Sequence, residues 1–177
     1  MLLDATLLNV SSGGSIDGTA RSTHGGQAGP GYNGGGSARA GAGHGGSCGE
    51  EWCSGSGTLY GSTFEPTTQG SGGYVTTGGS ALRVEASTLV LDGAIKVDGQ
   101  STGNSGGGSG GSAWVRAEVL LGAGGGSVSA DGGAGQGSDC CNSWAGGSAG
   151  GGGGRISLWC GESRLGGAFH GLAGVPA

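Results

Sequence analysis

Apolar and polar residues alternate along several short stretches of this chain. Leu82, Val84 and Ala86 share one phase, as do Leu89 with Leu91 and Ile95 with Val97, and the residues between are mostly polar or small. A period of two with β-branched residues, bounded by Gly and Asp, predicts half-buried strands. No segment carries a helical stripe, and each Gly inside a helix would cost about 1 kcal/mol. The pattern predicts an all-β chain with little or no helix.

The strands recur. Gly79-Ser80-Ala81-Leu82-Arg83-Val84-Glu85-Ala86 aligns with Gly111-Ser112-Ala113-Trp114-Val115-Arg116-Ala117-Glu118. A second apolar run follows each, Leu89-Val90-Leu91-Asp92-Gly93 and Val119-Leu120-Leu121-Gly122, and then a third run that ends in Asp98-Gly99 or Asp131-Gly132. A further start appears at Gly154-Arg155-Ile156-Ser157-Leu158-Trp159, and a partial copy at Leu7-Leu8-Asn9-Val10 and Ser15-Ile16-Asp17-Gly18. The opening Met1 to Leu8 lacks a basic start and carries Asp4, so it reads as strand, with any secretion signal outside this chain or removed. One unit cannot bury its own apolar face, whereas stacked units share a continuous core. The expected fold is therefore a short parallel β-solenoid, right-handed and β-helix-like, of about three to four turns. It is expected to form a single domain over residues 1–177, with units at roughly 1–78, 79–110, 111–153 and 154–177.

Composition changes the picture of the connections. Gly supplies 51 of 177 residues, but 3 Pro and no Gly-X-Y period exclude collagen. Residues 100–111 and 132–154 are too long for ordinary connections. Without side chains, backbones approach closely enough to bond between segments, so these runs are expected to pack as ordered, polyproline-II-like loops. Tyr32, Trp144, Cys140 and Cys141 within such stretches favour order over flexible linker.

The formal charge of −5, with a single Lys (Lys96) and scattered Arg, removes the cationic footprint of a nucleic-acid binder. No apolar stretch has the length of a membrane span. Cys48, Cys53, Cys140, Cys141 and Cys160 are disulfide candidates, since a loop-rich chain with a thin core gains most from covalent staples in an oxidising compartment. Cys48 can close on Cys53. The adjacent Cys140 and Cys141 need different partners, one of them Cys160, which leaves the other free or bonded outside the chain. Zinc held by Cys48, Cys53, Cys140, Cys141 and His44 is the weaker reading, because the spacing is not that of a knuckle. Asn9-Val10-Ser11 is a glycosylation sequon.

Asp98 and Asp131 follow their short strands at matching positions, and Asp17 is a candidate for the same place in the partial copy. Stacked about 4.8 Å apart they would form a carboxylate ladder able to take Ca²⁺, although Asp-Gly is more simply a turn pair. Arg83, Asp92 and Lys96 suggest a polysaccharide-cleaving site only weakly, since both cations alternate with apolar residues and so face solvent. No cofactor is expected, and no catalytic residues.

The ordered string Gly41-Ala42-Gly43-His44-Gly45-Gly46, Tyr60-Gly61-Ser62, Pro66, Gly70-Ser71-Gly72-Gly73, Leu91-Asp92-Gly93-Ala94-Ile95, 106–112, Ser129-Ala130-Asp131-Gly132-Gly133 and 151–156 resembles the glycine-rich repeat region of large secreted or cell-surface proteins. Plant glycine-rich proteins and their algal and protist relatives are the examples. The resemblance covers roughly residues 1 to 160 and implies an extracellular or cell-surface structural role without catalysis. Such regions usually belong to longer chains, so this one is expected to be a fragment or a free-standing relative. The expected function is a non-catalytic structural or assembly module, a repeating subunit of a surface filament or matrix. It would partner itself or neighbouring domains of a longer surface protein. A glycan- or Ca²⁺-binding adhesion module is the alternative. Ice binding ranks lower, for want of a Thr ladder.

Overall fold

The computed structural model describes residues 1–32, 40–47, 57–135, 148–165 and 168–170. Strand is the only regular element among them. In chain order the strands are β1 (Leu2–Val10), β2 (Ser15–Asp17), β3 (Ala81–Leu91), β4 (Ala94–Lys96), β5 (Ser112–Gly122), β6 (Ser127–Ser129), β7 (Arg155–Leu165) and β8 (Ala168–His170). The long strands form one parallel sheet in the order β1-β3-β5-β7, and the short ones a second in the order β2-β4-β6-β8.

Register follows the apolar phase. Leu3, Val84, Val115 and Leu158 occupy one row of the long sheet, and Ile16, Ile95, Val128 and Phe169 one row of the short sheet. Val84, Leu89, Ile95, Val115, Leu120 and Val128 have no exposed surface and join both sheets in one cluster. This register corrects the sequence alignment by one residue, since Ala81 pairs with Ser112 and not with Ala113. The shared Gly-Ser-Ala text is low in information. A slip of one would turn an entire apolar set outward, and burial of Val84 opposite Val115 forbids it.

The long strands all bend at the same level. Pairing runs through Ala5, Ala86, Ala117 and Cys160, omits Thr6, Ser87, Glu118 and Gly161, and resumes at Leu7, Thr88, Val119 and Glu162. The buried phase shifts there by one residue. In β3 it passes from Leu82 and Val84 to Leu89 and Leu91.

The expected right-handed parallel β-solenoid is not what the chain forms. The strands make two separate parallel sheets and no closed coil, and the remaining side is glycine-rich backbone outside any strand. Hydrogen-bond direction explains why. Gly107 and Gly110 donate to Ala149 and Gly152, Gly108 and Gly111 donate to Gln100 and Val97, and Ser109 donates to Ser71. Donors three residues apart serve the same neighbour, and successive donors serve three different ones. Gly151 and Gly154 repeat the rule toward Gly133 and Ala130, as Gly99 and Thr102 do toward Asp131 and Ala134. A strand alternates with period two and pairs within one sheet, whereas a period of three bonds around the segment, as in a helix with three residues per turn. These segments therefore bundle around residues 106–111. A Cβ at Gly107 would overlap the carbonyl oxygen of Gly133, and one at Gly151 that of Gly108. Small residues fill most of the space among them, and Ala42, Ser71, Ser109 and Ala130 are wholly buried there.

Candidate functional site

The outer face of the long sheet carries the most varied chemistry. Its outward rows are Leu2, Arg83, Trp114 and Ser157, then Asp4, Glu85, Arg116 and Trp159. The Arg83 guanidinium lies 4.1 Å from the centroid of Trp114 and bridges Glu85 at 2.6 Å. Arg116 repeats the stacking one row on, 4.8 Å from the centroid of Trp159. Each arginine thus covers the tryptophan of its partner strand.

An open groove of about 400 Å³ lies where the strands bend, lined by Asp4, Thr6, Glu85, Arg116, Glu118 and Trp159, with Ser87 between them. It crosses all four long strands, a span of about 14 Å at the usual strand spacing. Trp159 is 51% exposed. The groove presents the half-exposed indole of Trp159, with the Arg116 guanidinium over one of its faces, together with charged hydrogen-bond acceptors and two hydroxyls.

A second cluster is buried in the glycine bundle. His44 has no exposed surface; its Nδ1 lies 2.7 Å from the Gly110 carbonyl and its Nε2 2.9 Å from Thr68 Oγ1. Its ring stacks on Tyr60 with centroids 4.5 Å apart. Tyr60 donates to the Gln69 carbonyl and meets Ser71 Oγ, each at 2.7 Å. Burial pushes the His44 pKa down to about 4, helped by the charge of Arg155, so the ring is neutral. Burial also raises the Tyr60 phenol. Both ring nitrogens of His44 are engaged, and the ring is a tie between glycine segments.

The remaining candidates are placed as follows. Asp98 Oδ1 accepts from the Asp131 backbone N–H at 2.8 Å, and its Oδ2 from Ser129 Oγ at 3.0 Å. Asp17 does not align with them. It pairs with Lys96, and its carboxylate accepts from Thr19 N–H at 2.8 Å, a bond that lowers its pKa. Among the described residues no group of three or more His, Cys, Asp and Glu is arranged to hold a metal ion. Cys48, Cys53, Cys140 and Cys141 lie outside the described residues. Cys160 is described: strand phase turns it onto the core beside Ala117, where it is a half-buried free thiol instead of a cross-link. Asn9 is exposed on β1. No helix among the described residues is long and apolar enough to cross a membrane.

Sequence reasoning missed the groove. Its residues are alike in position and unlike in type, and the one available signal was the set of outward positions in correctly registered repeats. Comparison with protein-family models, curated proteins and solved structures finds no match to this chain.

Proposed function

We propose that this chain is a non-catalytic structural and assembly module, situated outside the cell or at its surface, whose copies stack edge to edge. One observation carries the reading: the core is cut open at its end rungs. Val84, Leu89 and Ile95 are wholly buried, yet their row partners Leu3, Leu8 and Ile16 on β1 and β2 are only partly so. Ile156 and Leu158 on β7 are likewise part-covered. Leu2 and Leu7 are 58% and 62% exposed along β1. A second copy that lays its β7 along β1 would complete these rungs and continue both sheets. That contact joins two different surfaces, so it does not close on itself and yields a filament. The location rests on the resemblance to secreted glycine-rich regions and on the exposed sequon at Asn9.

Sedimentation velocity over rising concentration, with negative-stain microscopy, tests the reading. Oligomers that grow with concentration are expected. Leu2→Lys with Leu7→Lys should abolish them, because edge lysines block strand pairing. A chain that stays monomeric at about millimolar concentration overturns the proposal.

A further inference from the structure

The geometry points to the outer groove as a binding site for a neutral linear polysaccharide. A sugar ring presents a C–H face that packs on an aromatic surface, and a rim of hydroxyls that bond in its plane to charged acceptors and donors. The groove supplies both. Trp159 offers a half-exposed ring whose orientation is held by Arg116, and Asp4, Glu85 and Glu118 line the path beside it. The groove is open and runs across β1, β3, β5 and β7 along the stacking direction, which suits an extended polymer passing through rather than an enclosed small molecule.

Charge selects the class. Three carboxylates line the groove; Arg83 neutralises Glu85, which leaves Asp4 and Glu118 against the single lining cation Arg116. A polymer of sugar acids would bring like charge against them. The carboxylates are also not gathered as metal ligands; Asp4 and Glu118 offer separate hydrogen-bond acceptors, while Glu85 already accepts from Arg83. The site needs only one copy of the chain and does not depend on edge stacking.

Affinity electrophoresis of the full chain through gels carrying galactomannan, xyloglucan, laminarin or hydroxyethyl cellulose, with polygalacturonate as the anionic probe, tests this. Retardation by at least one neutral polymer and none by polygalacturonate is expected. Trp159→Ala should weaken retention by about tenfold or more. Ser87→Trp, which fills the groove from an exposed position, should do the same. Should Trp159→Ala lose its β-sheet circular dichroism, Ser87→Trp alone decides. Retention by no neutral polymer, equal retention by polygalacturonate, or retention unchanged in a folded variant overturns the proposal.

Discussion

Arg116 lies over the ring of Trp159, its partner on the next strand, with the guanidinium carbon 4.8 Å from the ring centroid. Arg83 does the same to Trp114 at 4.1 Å, one outward row away and one strand back. The two pairs form a stair of cation and aromatic across the outer face, each step joining neighbouring units. A double-mutant cycle of Arg83→Ala with Trp114→Ala should give a coupling of about 0.5–1 kcal/mol. The Arg116–Trp159 cycle should give less, since its ring is half exposed. Urea unfolding of the four single and two double variants reads both.

His44 makes stability depend on pH. Its pKa is about 4 in the fold and ordinarily 6.5, because burial disfavours the charged ring. Between those values the unfolded chain binds more protons than the folded one. Stability is therefore full above about pH 6.5 and falls as pH drops toward 4, by roughly 2–3 kcal/mol in all. The urea midpoint followed from pH 7 to pH 4 should show this fall. His44→Gln should lower the midpoint at pH 7 and flatten its slope across the window.

The glycine bundle makes an uneven demand on glycine. Gly107→Ala or Gly151→Ala would drive a methyl into a backbone carbonyl, and each should cost about 3 kcal/mol or more, or prevent folding. A methyl added at Gly103 would meet nothing within 4 Å, so Gly103→Ala should fall within about 0.5 kcal/mol of the parent or stabilise it. Thermal melts of the three variants separate glycine required for packing from glycine that is incidental.

Asp98 is a backbone fastener. Asp98→Ala removes acceptors for the Asp131 N–H and the Ser129 hydroxyl and should cost about 1–2 kcal/mol. Adding Ca²⁺ to the parent chain should leave its melting temperature unchanged. A rise that Asp98→Ala abolishes would return the carboxylate ladder to consideration.

The strands were legible because their signal is local. Leu82 and Val84, then Leu89 and Leu91, announce their shared burial through a period of two that any stretched backbone imposes. The register between units was not legible. Text rich in Gly, Ser and Ala matches itself at several offsets, and only the buried row of Leu3, Val84, Val115 and Leu158 settles the offset. The same slip hid the outer site. Asp4, Glu85, Arg116 and Trp159 become neighbours only when four units lie in that register.

Sequence by itself determined which residues could face a core, and required that the long connections be built from residues without bulk. Tertiary structure decided what those connections do. A glycine backbone has no side chain to hold it in a sheet, so its N–H groups turn by thirds and find partners in segments distant along the chain, as Gly107 finds Ala149 and Gly111 finds Val97. Such partners are set by how the units stack, and no local pattern encodes them. For that reason alternation in Val84 could be read from the chain, whereas the partners of residues 106–111 could not.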